Sequence, residues 1–142
     1  MSNFLIRNAD VANFDDLSTS TKDILIQEGR FKKIADHIEN KECEGATIID
    51  AHHMLALPGF TDCHSHVYQT FIKGPLDDLV ITDWLVRLFR FEDEMSDEDY
   101  YYATLLSCLS ALRFGTTTIN EMGGYEHLDA TLQAFEDAGI RV

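Results

Sequence analysis

The chain has 142 residues, 25 of them acidic and 11 basic, for a formal charge of −14. That is one domain's worth of protein. Its 45% hydrophobic and 11% aromatic content, with only two prolines, excludes a disordered chain. The charge repels a phosphate backbone and excludes nucleic-acid binding through a basic face. No uncharged stretch, Ala51–Thr61 included, approaches the roughly 20 apolar residues that a membrane span needs. The residues after Met1 lack the charged and apolar regions of a secretory signal. Cys43, Cys63 and Cys108 are odd in number and widely spaced. They read as reduced thiols of a cytoplasmic protein, not as a disulfide framework.

The predicted elements change character at Leu57-Pro58-Gly59. Before it the pieces are short and strand-like. Phe4–Arg7 is a strand, and Asn13–Lys22 is polar enough for a loop. Asp23–Gln27 and Phe31–Ile38 form a hairpin about Glu28-Gly29-Arg30, with Gly29 supplying the positive φ. Thr47–Asp50 and Met54–Leu57 are two further short strands. Residues 1–57 therefore read as a small β unit that needs another layer to cover it.

From residue 58 to 142 strands and helices alternate. Gly59–Cys63 is a short buried strand. Thr82–Phe91 is a helix with Thr82 as N-cap and Asp83 in its first turn. Ser96 and Asp99 have the spacing of a capping box. They open a helix over 97–114 whose Leu105, Leu106, Leu109 and Leu112 fall on one face, which marks them as core. Gly115 ends it. Thr116–Asn120 is a β-branched strand, Glu126–Ala138 a helix stopped by Gly139, and Ile140–Val142 the start of another strand. That order predicts a parallel α/β sheet.

His64-Ser65-His66 follows the Gly59–Cys63 strand directly. Residues two apart in an extended chain point the same way, so both imidazoles project together from a strand's C-terminal end. That is where α/β folds place their sites. Neutral imidazole suits zinc and other transition metals. With six histidines in the chain, the spacing alone is also a common accident.

The run Pro58-Gly59-Phe60-Thr61-Asp62-Cys63-His64-Ser65-His66 resembles the first barrel strand of the amidohydrolase superfamily. Gln69-Thr70, Gly74, Asp77-Asp78-Leu79 and Trp84-Leu85 continue the likeness, as do Leu112–Thr118 and Glu121. The branch is that of methylthioadenosine/S-adenosylhomocysteine deaminases, guanine-type deaminases and triazine hydrolases. The resemblance implies part of a small β-sandwich over 1–57, then the first two to three βα units of a (β/α)8 barrel over 58–142. It implies hydrolytic deamination of an amino-purine or related N-heterocycle by a metal-activated water. His64 and His66 become metal ligands, with zinc favoured over iron or manganese. The remaining ligands and the acid/base residues are expected after Val142, so no catalytic residue falls in this segment and the 142 residues alone should be inactive.

Trp84, Gln69 and Asp83 are the candidates for substrate contact. Each has a plainer reading: a core anchor, a loop amide, and an acid favoured by the helix dipole. Asp62 is expected to order the turn or a ligand histidine. Cys63 is expected in the core, and Glu121, His37 and His127 at the surface. His52 and His53 read as loop residues. Two rivals remain at this level: a dechlorinating or N-dealkylating triazine-type hydrolase, and a non-catalytic fragment that self-associates as a homo-oligomer.

Overall fold

A computed structural model of the chain describes residues 2–123 and 126–142. It divides into two compact units, Met1–Pro58 and Gly59–Val142.

In the first unit, strands β1 (Phe4–Ala12), β2 (Thr19–Gln27), β3 (Arg30–Ala35) and β4 (Thr47–Asp50) lie in the order β3-β2-β1-β4, and β5 (Leu55–Ala56) also pairs with β1. β1 is antiparallel to β2 and parallel to β4 and β5. The hairpin turn holds Glu28 at φ 52° and Gly29 at φ 74°. Two left-handed residues match the right-handed twist of the flanking strands. β2 begins at Thr19, four residues before the strand expected from Asp23. Its polar start pairs with the far half of β1, so ladder hydrogen bonds, not burial, make it a strand. Side-chain alternation gives the sheet two apolar faces. Leu5, Leu25, Ile38 and Cys43 cluster on one; Ala9, Ile24 and Ala51 cluster on the other.

Asp23 sits in β2 with only 3% of its surface exposed. Its carboxylate accepts from Arg7 Nη1 at 2.6 Å, from the Asn8 amide at 3.1 Å and from the Ile38 amide at 3.0 Å. Arg7 also donates to the Ile38 carbonyl at 3.1 Å and to Asn40 Oδ1 at 2.7 Å. Three donors compensate the cost of burying this charge. They also fix the β1 irregularity at Asn8, which stands at φ 59°. His37, exposed as expected, has Nδ1 3.5 Å from the same carboxylate. His52 and His53 lie in an exposed turn.

In the second unit, β6 (Phe60–Ser65) and β7 (Thr116–Glu121) are parallel neighbours. A 3-10 segment (Val67–Ile72), α1 (Ile81–Glu92) and α2 (Asp97–Arg113) make the crossover between them. After β7 come α3 (Leu128–Ala138) and residues 140–142, where Arg141 bridges in parallel to Thr118. Val67, Cys108, Ile119, Phe135 and Ile140 form the core beneath the two strands. Gly59 admits no side chain: a Cβ there would stand 2.8 Å from the Thr117 Cβ and strike its Oγ1. The Ser96–Asp99 capping box is formed in full, and its hydroxyl bonds hold the Asp99 carboxyl below its ordinary pKa. Gly139 closes α3 in the left-handed region at φ 69°. Among the described residues no helix is long and apolar enough to cross a membrane.

Several expectations are corrected. The strand read as buried over Gly59–Cys63 runs instead over Phe60–Ser65 and is largely exposed, with Phe60, Thr61, Cys63 and His64 at the surface. α1 starts at Ile81 and its N-cap is Val80, which makes no side-chain cap bond, so Thr82 lies inside the helix. α2 buries Tyr100, Ala103, Thr104 and Cys108, while Leu106 and Leu109 remain 52% and 55% exposed. The buried row packs chiefly on the 3-10 segment and α3, where Tyr100 stacks on Tyr68 and Cys108 meets Val67 and Phe135; Leu112 joins the same core, while Leu106 and Leu109 lie off it. Cys63 is exposed, because no described residue of this unit covers its side of β6.

The Asp23 site yields the first prediction. Asp23→Ala leaves the Arg7 guanidinium and two amides without their acceptor. The expected loss is about 3–5 kcal/mol of unfolding free energy, read from urea denaturation followed by circular dichroism. A loss below about 1 kcal/mol would contradict it.

Candidate metal centre and adjoining cleft

The parallel ladder carries β6 to Ser65, opposite Glu121. His64 and His66 lie at this C-terminal end. Their ring centroids are 5.0 Å apart and the rings stand edge to face at 86°. The His64 ring is exposed; His66 is half-buried, and its Nδ1 is buried without a hydrogen-bond partner among the described residues. An unpartnered buried imidazole nitrogen is costly unless something binds it. Two imidazoles with a free ring nitrogen are a donor set that suits zinc. Among the described residues no group of three His, Cys, Asp or Glu is placed to hold a metal. Two imidazoles are fewer than the three protein ligands of a usual catalytic zinc site.

The backbone around the pair is held by side chains. Asp62 Oδ1 accepts from the His64 amide at 3.1 Å, the turn-ordering role expected of it. Glu121 does not stand free at the surface. It is half-buried, with Oε2 accepting from the Val67 amide at 2.9 Å and Oε1 from the Gly123 amide at 3.3 Å. The cause is its place at the end of β7, directly beside the end of β6.

His66 also lines a cleft of about 300 Å³ with Tyr68, Gln69, Trp84, Glu92 and Met122. Gln69 donates to Glu92 Oε1 at 3.1 Å, so its amide is already oriented. Trp84 anchors its helix in the core, the plainer reading, and also lines the cleft. It packs on the Ile72, Leu76 and Leu88 cluster and presents its remaining surface to the cleft. Asp83, on the first turn of α1, is exposed and stands outside the cleft lining. Tyr68 and Glu92 escaped sequence reasoning. Glu92 lies eight residues after Trp84, and that helical spacing places both on one face of α1.

Burial, reinforced by the neighbouring Glu92 carboxylate, pushes the Tyr68 hydroxyl up to about 12. Tyr68 is therefore a neutral phenol at physiological pH. It stacks on Tyr100 with centroids 5.0 Å apart, and Tyr100 in turn lies 4.7 Å from the His127 ring. His127 is accordingly half-buried and bonded to Asp97, not free at the surface.

A parallel α/β unit with convergent polar groups at its strand ends defines the class. The amidohydrolase family model matches residues 55–142, and the chain belongs to that family. It is 36% identical over 121 residues to a 5'-deoxyadenosine deaminase of Methanocaldococcus jannaschii, covering 84% of this chain and 28% of that protein. It is also 36% identical over 138 residues to a 5-methylthioadenosine/S-adenosylhomocysteine deaminase of Carboxydothermus hydrogenoformans, covering 96% and 31%. Among solved structures, an atrazine chlorohydrolase of Arthrobacter aurescens TC1 complexed with zinc superposes with a TM-score of 0.81. There the identity is 24%, over 97% of this chain and 34% of that one, so the likeness is one of fold. The chain spans about a third of the length of the curated relatives it matches.

The cysteines provide a direct check on this geometry. Burial pushes the Cys108 thiol up to about 11, with the Glu121 carboxylate adding to it. At pH 8 roughly one in a thousand of its molecules is thiolate. Iodoacetamide at that pH should label the exposed Cys63 and leave Cys108 and Cys43 untouched until denaturant is added. Peptide mass spectrometry reads the order, and early labelling of Cys108 would contradict the buried placement.

Proposed function

We propose that the chain is a segment of a metal-dependent amidohydrolase that deaminates an amino-purine nucleoside or a related N-heterocycle. In this reading residues 1–57 are part of a β-sandwich, and residues 58–142 are the first βα units of a (β/α)8 barrel. The observation that carries the reading is the His64–His66 pair at the end of a parallel strand, with the buried His66 Nδ1 unpartnered among the described residues beside an aromatic-lined cleft.

His64 and His66 supply neutral imidazole nitrogens to a divalent metal, with zinc the choice that best suits them. Such a metal, when bound, brings the pKa of a coordinated water close to neutrality. Trp84 offers a face on which a flat heterocycle can lie. Gln69, oriented by Glu92, offers amide hydrogen-bonding groups to a ring edge. Glu92 can accept a hydrogen bond from a ligand donor. The further ligands and the acid/base groups belong to barrel strands that follow these units. Three free cysteines, one of them exposed, suit a reducing compartment such as the cytoplasm.

Displacement of chlorine from a triazine is the second reading, and the fold likeness to the chlorohydrolase is its support. The deaminase reading is preferred because identity to the deaminases is 36%, against 24% to the chlorohydrolase.

The test is ammonia release from 5'-deoxyadenosine by the intact natural protein in zinc-containing buffer. Activity is expected, with a loss of more than about 100-fold in His66→Ala and in His64→Ala. A loss below about tenfold would remove the pair from the reaction. The 142-residue chain assayed alone should release no ammonia, and robust turnover by it would contradict the division of ligands proposed here.

A further inference from the structure

The backbone from Cys63 to Val67 carries both histidines, yet regular pairing fails along it. The β6–β7 register shifts between Asp62 and Ser65. Three side chains and one backbone amide bond to this segment's backbone groups instead. The Cys63 carbonyl accepts from Asn120 Nδ2 at 3.0 Å. The Ser65 carbonyl accepts from the Met122 amide at 3.3 Å. The Val67 amide donates to Glu121 at 2.9 Å, and the Val67 carbonyl accepts from Ser107 Oγ at 2.7 Å. Ser107 is itself bonded to Thr70. The Val67 side chain is buried in the core with Cys108 and Ile119. The histidine pair is thus gripped at both ends, by the last two residues of β7 and by α2.

We propose that Asn120 and Glu121, assisted by Ser107, are positioning residues that set the direction in which His66 presents its ring. The proposal rests on the metal reading above only for its consequence, the affinity of the pair. Its geometric content is separate. Glu121 is suited to the task because a carboxylate has two acceptor oxygens and here uses both, on the amides of Val67 and Gly123. A glutamine in its place would turn an NH2 group toward one of those amides. Asn120 fits the complementary need, a donor for the exposed Cys63 carbonyl. Groups bonded directly to a ligand side chain typically change metal affinity by about 10–100-fold; Asn120 and Glu121 act one step further out, through the backbone on either side of the pair.

The test uses the 142-residue chain, with Zn2+ alone as the probe. Three quantities are read in wild type, Glu121→Gln, Glu121→Asp and Asn120→Ala. They are hydrogen exchange at the Val67 amide, the χ1 rotamer averaging of His66 from side-chain couplings, and Zn2+ affinity by calorimetry. His66→Ala serves as the control for where Zn2+ binds. Glu121→Gln should speed exchange at Val67, convert His66 from one rotamer to an average, and weaken Zn2+ about tenfold. Glu121→Asp should restore part of each. Asn120→Ala loosens the other end at an exposed position, and carries the same test if Glu121→Gln fails to fold. Faster exchange at Val67 with an unchanged His66 rotamer and unchanged affinity would overturn the proposal. If His66→Ala leaves Zn2+ binding unaltered, the metal reading falls, and the positioning claim is judged on the rotamer alone.

Discussion

Parallel pairing of β6 with β7 governs the second unit, and the place where that pairing gives out governs its site. A parallel ladder supplies evenly spaced hydrogen bonds only while both strands keep register. Past Asp62 the register slips, and every backbone group left over must find a partner or cost free energy. Asn120, Glu121 and Ser107 meet that need. The two imidazoles are thereby carried on irregular backbone that is nonetheless held at several points. Core packing of Val67 against Cys108 and Ile119 anchors the same segment from below.

The cleft beside the pair follows from the next two elements. The 3-10 segment turns the chain sharply after His66 and brings Tyr68 and Gln69 back toward it. α1 then lays Trp84, Leu88 and Glu92 along the opposite wall. Polar groups here are few: Glu92 holds Gln69, burial and the same carboxylate raise the Tyr68 hydroxyl pKa, and His66 Nδ1 has no partner among the described residues. A wall of this kind is already ordered before a ligand arrives, which lowers the entropy cost of binding.

Much of this was legible in the sequence where a local rule applies. Ser96 and Asp99 declared the start of α2, Gly139 the end of α3, and the β-branched run at 116 a strand. The alternation rule placed both histidines on one side of β6. What stayed hidden depends on contacts distant in sequence. Asp23 gives no local sign that Arg7 and the Ile38 amide will surround it. Glu121 reads as an ordinary surface acid until β7 is set beside β6, 54 residues away from its partner. The leucines of α2 misled for another reason. Their spacing describes a helix face correctly, but the face that α2 turns to the 3-10 segment and α3 is the one with Tyr100, Ala103, Thr104 and Cys108. Polar Thr19–Lys22 likewise looked like loop because strand formation there rests on pairing alone.

The Gly59–Thr117 contact has a consequence for how this sequence can drift. The glycine is a packing requirement, and it binds the histories of two positions 58 residues apart. A replacement at 59 is closed while 117 carries any side chain, since even an alanine there would keep its Cβ 2.8 Å from the incoming one. Position 117 is under no reciprocal bar, because trimming Thr117 only opens space. Substitutions at the two sites are therefore contingent on order: the threonine must shrink to glycine first, and only then can the glycine at the start of β6 gain a side chain.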